Sequence, residues 1–142
     1  MDRIVIKTLS RNDLGLSGSH QAGILVPKTV VRQAFFPSLR EDTINPHCMI
    51  VFYVGDKEYE LNYIHYNSRL FGKGTRNEYR LTRLNRFYKD FNCNLGDKLV
   101  FTFSERQKKY RLAVEKKETD QMIIIQKNNV NHPLIIHANW EF

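Results

Sequence analysis

Apolar and polar residues alternate along several short segments of this chain, as they do in β-strands that place one face on a core. Polar or glycine-containing stretches separate these segments, which are 4–9, 59–63, 99–103 and 110–114. Two further segments, 47–54 and 122–125, are more continuously apolar, which predicts central strands that are buried on both faces. So many short strands predict a barrel or a sandwich.

One segment has helical spacing instead. Pro27 can begin a helix, Pro37 ends the run, and the apolar residues between them recur at helical intervals. Those apolar residues are Val30, Val31, Ala34 and Phe35. We therefore predict a short helix that closes one end of a barrel, and a second helical turn over 84–91. Residues 94–97 have the composition of a turn that leads into strand 98–103.

The composition indicates one soluble domain. A chain of 142 residues with 42% hydrophobic residues fits a single domain over 1–142 and leaves no room for a second, catalytic domain. No stretch approaches the roughly 20 apolar residues that a membrane helix needs, and the N-terminus lacks signal-peptide features, so we expect a cytoplasmic protein. Cys48 and Cys93 have no CxxC partner and are expected to be reduced, structural thiols.

The positive charge is concentrated in one part of the chain. The net charge is +7, and segment 66–89 carries seven basic residues against one acidic residue, Glu78. Such a local excess favours a polyanionic partner, although charge alone does not distinguish DNA from RNA, an acidic protein or a membrane surface. The seven residues are Arg69, Lys73, Arg76, Arg80, Arg83, Arg86 and Lys89.

Two loops are the candidates for function, and we call residues 10–21 the first arm and residues 67–83 the second arm. In the first arm, Gly15 and Gly18 permit close approach of the backbone to a partner. The candidate DNA-binding side chains of this arm are Arg11, Asn12, Ser17, Ser19, His20 and Gln21. The alternative interpretation is an ordinary polar hairpin loop before the apolar strand 22–26.

The second arm presents a pattern that suits base recognition. On a strand, Arg76, Glu78 and Arg80 project to one face, whereas residues 77, 79 and 81 project to the other. Arginine donates two hydrogen bonds to guanine, and glutamate accepts one from the cytosine amino group. Alternatively, Glu78 forms an exposed salt bridge with one of its arginine neighbours. The candidate side chains of the arm are Arg69, Lys73, Thr75, Arg76, Asn77, Glu78, Tyr79 and Arg80.

Several basic residues are better suited to the phosphate backbone, which positions a protein without conveying sequence. Besides Arg69 and Lys73, the phosphate-contact candidates are Arg83, Arg86 and Lys89. The aromatic residues at 87, 88 and 91 could stack on unpaired bases, but their spacing equally suits a core, which we favour.

The arms also carry a recognisable pattern of motifs. The first has Asn12-Asp13, two glycines and His20-Gln21-x-Gly23. The second has residues 66–69, Phe71-Gly72-Lys73 and Thr75-Arg76-Asn77-Glu78-x-Arg80-x-Thr82-Arg83, and the match closes with His132 and Trp140-Glu141. Over nearly its whole length, the chain resembles the N-terminal effector domains of EcoRII-type restriction endonucleases.

This resemblance implies a mainly β fold, a seven-stranded DNA-binding pseudobarrel shared with plant B-three domains, with one or two short helices at the barrel ends. It implies that the arms enter the major groove of double-stranded DNA, with His20 on the first arm. On the second arm it implies contacts from Lys73, Arg76, Glu78 and Arg80. Two positions depart from the family pattern: Gly74 is an extra residue, and Tyr79 replaces a basic residue.

The resemblance further implies a monomeric, non-catalytic domain that belongs to a longer bacterial or archaeal enzyme. In that family the effector domain binds one copy of a target such as CC(A/T)GG and allosterically stimulates a separate catalytic domain. The effector domain needs no cofactor, and Mg²⁺ is expected only in the catalytic domain. Other members bind other short GC-rich sites.

Other functions have weaker support from the sequence. Asp97, Glu115 and Lys117 formally supply the acidic groups and lysine of a metal-dependent nuclease, but such triplets are common in charged proteins. The five histidines include no HxxxH pair, which argues against a zinc site. An RNA-binding module would favour exposed aromatic residues over an Arg-Glu-Arg strand.

Overall fold

The alternating segments form strands, and most of their apolar side chains meet on one face of a curled sheet. In the first segment, Val5 and Leu9 belong to this core, whereas Ile6 is buried outside it. The computed structural model describes residues 2–16 and 23–117. Within them, seven strands lie in the order β1-β6-β7-β3-β4-β5-β2, and the β3–β7 pair is parallel while the other neighbouring pairs are antiparallel. The strands are β1 Asp2–Thr8, β2 Ile24–Val26, β3 His47–Val54, β4 Lys57–Tyr66, β5 Glu78–Thr82, β6 Lys98–Ser104 and β7 Lys109–Glu115. This arrangement confirms the predicted mainly β fold with seven strands.

The concave face of the sheet is filled by a continuous aromatic and aliphatic core. Phe52, Tyr63 and Phe101 are fully buried in it, and Phe36 packs its ring against all three. Edge-to-face ring contacts of this kind add to the gain from burying the area itself. No helix among the described residues is long and apolar enough to cross a membrane.

Strand β3 has the predicted central position but not the predicted burial on both faces. Ile50 and Phe52 are buried, whereas Met49, on the other face, is 38% exposed. Antiparallel sheets commonly keep one face in solvent, so a continuously apolar run does not require burial on both sides. The second segment predicted to be buried in this way, 122–125, lies outside the described residues.

The helix predicted between Pro27 and Pro37 is shorter than expected. Helix α1 spans Lys28–Arg32, and the carbonyl of Pro27 accepts hydrogen bonds from its first turn. The helix ends because Ala34 adopts a left-handed φ of 56°, so Ala34 is exposed instead of sharing the apolar face. Because residues 35 and 36 lie beyond the helix, their side chains do not follow its spacing, and both are buried in the core.

The second predicted helical turn is present as helix α2, Asn85–Asp90. Phe87 is fully buried and contacts Phe91 and Tyr59, so the aromatic residues of this segment belong to the core, as favoured from their spacing. The predicted turn before β6 is also present, because the Asp97 amide donates to the carbonyl of Asn94 at 3.0 Å.

Candidate nucleic-acid interface

Strand β5 joins the two arms. Its first residue, Glu78, pairs with Tyr66 at the point where β4 enters the loop 67–77, which we call the second-arm loop. At its other end, Gly23 of the chain entering β2 lies against Leu81 and Thr82 so closely that an added Cβ would stand 2.4 Å from the Leu81 carbonyl oxygen. Five residues of strand therefore separate the second-arm loop from the level of Gly23, a span of about 13 Å.

The second-arm loop has a defined internal structure. It begins with a 3₁₀ turn, Ser68–Phe71, and Gly72 ends this turn in the left-handed conformation. The Arg69 amide then donates to the carbonyl of Arg76 at 2.9 Å, which closes the loop at its base. Gly74 packs on Ser68, where an added Cβ would come within 2.6 Å of the hydroxyl oxygen, so a larger residue there would require the Ser68 side chain to move.

The base of this loop is held by a buried amide that the sequence analysis did not single out. The Asn67 side chain accepts a hydrogen bond from the Asn45 amide at 2.7 Å and donates one to the Thr43 carbonyl at 2.8 Å. The Asn45 side chain accepts in return from the Asn67 amide at 3.2 Å. The loop between α1 and β3 therefore fixes the root of the second arm. An Asn in a loop carries no sequence signal for such a role.

Glu78 lies between two arginines and bonds to both. Arg76 donates its Nε–H to one carboxylate oxygen at 3.0 Å, and Arg80 donates its Nε–H to the other at 2.6 Å. The Arg76 guanidinium also lies over the Tyr66 ring, 3.7 Å from its centre. Partial burial acts to raise the pKa of Glu78, but the two arginines outweigh this effect and hold its pKa below the ordinary value.

This cluster differs from the predicted face of three exposed side chains. The strand begins at Glu78, so Arg76 precedes it and reaches the group from the loop. The predicted alternation holds within the strand, because Leu81 is buried in the core on the face opposite Arg80. However, Arg80 is only 3% exposed and donates to the Gly23 carbonyl at 3.2 Å, so in this state it ties the two arms together. The ion pair considered as the alternative interpretation is present with both arginines.

A second buried cluster lies on the core side of the same strand. His65 is buried, its Nδ1 lies 2.7 Å from a Glu41 carboxylate oxygen, and its Nε2 lies 2.8 Å from Oδ1 of Asn77. Its ring stacks on Tyr79 with centres 3.9 Å apart, and the Tyr79 hydroxyl donates to Glu41 at 3.0 Å. This cluster has no local sequence signal, because Glu41 and His65 are distant in sequence.

The first arm is described only in part. Arg11 is exposed and donates to the Leu16 carbonyl at 3.1 Å, while Asn12 is half-buried. Asp13 is buried, accepts from the Ser10 amide and pairs with Lys7 at 3.2 Å, which fixes the start of the arm on β1. The other candidates of this arm, Ser17, Ser19, His20 and Gln21, lie outside the described residues.

The phosphate candidates fall into two groups. Arg69 and Lys73 are exposed on the second-arm loop, as is Thr75, which was predicted as a DNA-binding residue of this arm. Arg83, Arg86 and Lys89 are exposed too, but they follow the far end of β5, and Arg86 lies over the Tyr59 ring near Asp90. Because Tyr59 stands seven residues before Tyr66 on β4, Arg86 is about 23 Å from the second-arm loop.

Asp97, the first residue of the nuclease alternative, accepts hydrogen bonds that stabilise the fold. Asp97 is buried and accepts hydrogen bonds from the amides of Asn94 and Lys117, each at 2.8 Å, and from the Lys116 ammonium at 3.1 Å. Burial acts to raise its pKa, but these donors outweigh that effect and lower it. Across the described residues, no three His, Cys, Asp or Glu side chains are grouped as metal ligands would be. Asp97 thus fixes the turn before β6.

Comparison with known proteins gives results that agree with this architecture. The FUS3–DNA complex of Arabidopsis has a similar fold, with a TM-score of 0.61 at 17% sequence identity over 80% of this chain and 96% of that one. The type II restriction enzyme EcoRII of Escherichia coli is 42% identical over 84 residues, which are 56% of this chain and 20% of that enzyme. The chain thus matches about a fifth of that enzyme. The family model of the N-terminal region of restriction endonuclease EcoRII matches residues 2–131, and the chain therefore belongs to this family.

Proposed function

We propose that this domain binds double-stranded DNA in a sequence-specific manner and acts as the effector domain of an EcoRII-like restriction enzyme. The observation that carries the proposal is the ion pair between Arg76 of the second-arm loop and Glu78 at the start of β5, next to the exposed basic residues of that loop. The similarity in fold to a protein solved in complex with DNA supports the same function.

Arg76 is oriented for a base contact. Its Nε–H is taken by Glu78 and its flat face rests on Tyr66, which restricts the side chain to one direction. Among residues 2–16 and 23–117, no acceptor contacts its two terminal nitrogens. A guanidinium held in this way can donate both terminal N–H groups to O6 and N7 of a guanine, the commonest specific contact in the major groove.

Glu78 has two roles in this proposal. It positions Arg76, and it offers remaining lone pairs to the amino group of a cytosine next to the guanine. Arg80 is buried in the free protein, so its own base contact requires that it leave the Gly23 carbonyl. We therefore assign direct recognition first to Arg76 and Glu78, and assign Arg80 to the spacing of the arms.

The remaining elements of the proposal are supported by the resemblance to the EcoRII N-terminal family alone. The target is CC(A/T)GG or a similar short GC-rich site, and the bound domain allosterically stimulates a separate catalytic domain that holds Mg²⁺. The domain itself is non-catalytic, needs no cofactor and is monomeric, and the enzyme works in the cytoplasm of a bacterium or an archaeon. Lys73 and Arg69 contact phosphates beside the site, and Arg83, Arg86 and Lys89 contact phosphates farther along the duplex.

Selection of bound sites from random duplex DNA, followed by gel-shift titration at one salt concentration, tests this function. Arg76→Ala should weaken binding to the selected site about tenfold or more, since a bidentate arginine contact is worth about 1–3 kcal/mol. Arg111→Ala, which removes the same charge from an exposed position on β7, is the matched control and should change affinity little. Equal affinity of Arg76→Ala and the parent for the selected site would refute the proposal. Binding of the parent to single-stranded DNA or to RNA as strongly as to the selected duplex would also refute it.

A further inference from the structure

The second-arm loop exposes two neighbouring apolar side chains, Leu70 and Phe71, which we call the apolar tip. Leu70 is 62% exposed and Phe71 is 40% exposed, and neither belongs to the hydrophobic core formed by the described residues. Single apolar residues are common on protein surfaces, so exposure alone gives these two no function. Their surroundings are informative, because Arg69 directly before them and Lys73 two residues after them are basic and exposed.

Main-chain hydrogen bonds hold the apolar tip beside Arg76. The Arg69 amide donates to the Arg76 carbonyl at 2.9 Å, so Leu70 is one residue beyond this contact. The Leu70 amide donates to the Asn67 carbonyl at 2.9 Å, and the Gly72 amide donates to the Arg69 carbonyl at 3.2 Å. These bonds fix the tip without using its side chains. A partner that contacts Arg76 and the basic side chains of this loop therefore lies next to the apolar tip.

DNA has one group that suits an apolar side chain in this place. A phosphate offers acceptor oxygens, to which a hydrocarbon side chain donates nothing. In the major groove, the base edges present donors, acceptors and one apolar group, the C5 methyl of thymine. The groove is about 12 Å wide and admits an α-helix. The loop is narrow beside the tip, because Gly72 and Gly74 add no side chains there.

We infer that Leu70 and Phe71 contact thymine methyl groups in the major groove and give the domain a preference for an A·T pair near the guanine that Arg76 contacts. This role rests on the proposed DNA-binding function and adds an apolar contact to its hydrogen bonds. Successive residues are about 3.8 Å apart and successive base pairs about 3.4 Å apart, so the thymine lies within about three base pairs of this guanine. Burial of one methyl group corresponds to about fourfold in affinity.

Deoxyuridine isolates the methyl group, because it has the hydrogen-bonding groups of thymine and lacks only the C5 methyl. The probe is the duplex site that the parent selects from random DNA, with every thymine in both strands replaced by deoxyuridine. In gel shifts at one salt concentration, the parent should bind this duplex about three- to fivefold more weakly than the thymine duplex. Equal affinity for the two duplexes would overturn the inference, as would a selected site that consists of G·C pairs alone.

The variant that tests the residues combines Leu70→Ala with Phe71→Ala. It removes the apolar surface and keeps the main-chain bonds of the loop, so its midpoint of urea denaturation should stay close to that of the parent. It should bind the thymine and deoxyuridine duplexes equally. Leu95→Ala is the matched control, because Leu95 is 51% exposed in the turn before β6, and this variant should keep the full preference for thymine.

The comparison between proteins removes the effect of deoxyuridine on the DNA itself. Any difference in stiffness between the two duplexes is common to the parent and all variants, and it cancels in the ratio of their preferences. If the apolar tip were a wedge between base pairs, the double variant would lose affinity for both duplexes alike and keep the preference of the parent. If the tip contacted another protein, the variant would bind both duplexes as the parent does. Either result would overturn the inference.

The outcomes also separate this role from the proposed function. A preference for thymine that survives in the double variant, while Arg76→Ala still loses the selected site, would overturn the methyl contact and leave sequence-specific DNA binding intact. Failure of the parent to select any duplex would refute the proposed function and, with it, the contact with thymine.

Discussion

Replacing Glu78 with Ala removes the acceptor shared by two arginines that differ in burial. Arg80, 3% exposed, loses a carboxylate at 2.6 Å and keeps the Gly23 carbonyl at 3.2 Å. Removing one partner of a buried ion pair typically costs about 3–5 kcal/mol. Because the Glu78 side chain is itself 19% exposed and Arg80 keeps the Gly23 carbonyl, we expect a loss of about 2–3 kcal/mol in the free energy of unfolding.

Arg76→Ala provides the comparison. Its side chain is 38% exposed, and it loses one screened ion pair and one contact with the Tyr66 ring, together about 1 kcal/mol. Urea denaturation of both variants measures the difference. Adding Arg80→Met to Glu78→Ala should recover part of the loss, since it removes the uncompensated buried charge. A loss for Glu78→Ala no larger than that for Arg76→Ala would refute this account of the cluster.

Glu78→Ala should also change the pH dependence of stability and the affinity for duplex DNA. The folded-state pKa of Glu78 lies below the ordinary 4.5, so its contribution to stability is present above that value and is lost as the pH falls through the lower folded-state pKa. The difference in the free energy of unfolding between the parent and Glu78→Ala should therefore become smaller as the pH falls. In gel shifts, Glu78→Ala should keep or gain affinity for random duplex and lose about tenfold or more for the cognate site.

Three further predictions concern the arm and the turn. Asn67→Ala should destabilise the fold by about 2–3 kcal/mol in urea titrations, because it leaves two backbone groups of the preceding loop without their partner. Lys73→Ala should weaken binding to cognate and random duplexes alike and reduce the slope of log affinity against log salt by about 0.9. The control, Lys108→Ala, should change neither the affinity nor this slope. A change in specificity alone in Lys73→Ala would contradict a phosphate contact. Asp97→Asn should lower the free energy of unfolding by about 1–2 kcal/mol at pH values above 3.8, the ordinary pKa of Asp, and should not change duplex affinity. Incubated with Mg²⁺, both the parent and Asp97→Asn should leave the duplex intact. Cleavage by the parent that Asp97→Asn abolishes would restore the nuclease interpretation.

The strands could be predicted from the sequence because their signal is local. Alternation in segments such as 99–103 depends only on which side chains face the core, and these segments are strands in the structure. The helix was overestimated because the apolar pattern up to Phe35 does not reveal that Ala34 leaves the helical conformation. The apolar run at 47–54 showed a central strand correctly, but it does not reveal which face meets solvent.

The sequence predicts where the candidate site lies, which stays a prediction, but the contacts among its residues could not be predicted. Charge and motif placed the site on the second arm, and the strand period put Glu78 and Arg80 on one face. The burial of Arg80 depends on the Gly23 carbonyl, which is distant in sequence and becomes its neighbour only through the β2–β5 pairing. The bonds from Asn67 to Asn45 have the same origin, since they need the loop before β3 to fold back onto the end of β4.

The order of strands in the sheet also affects how the chain is made. Strand β1 pairs with β6, so Asp2 lies opposite Ser104, about a hundred residues later. During synthesis, β1 therefore leaves the ribosome long before its partner and exposes Val5 and Ile6 until β6 follows. A sheet closed by such distant pairings refolds in milliseconds to seconds, more slowly than one built from consecutive hairpins. The apolar side chains of β1 therefore stay without their partner strand until about a hundred further residues have been made.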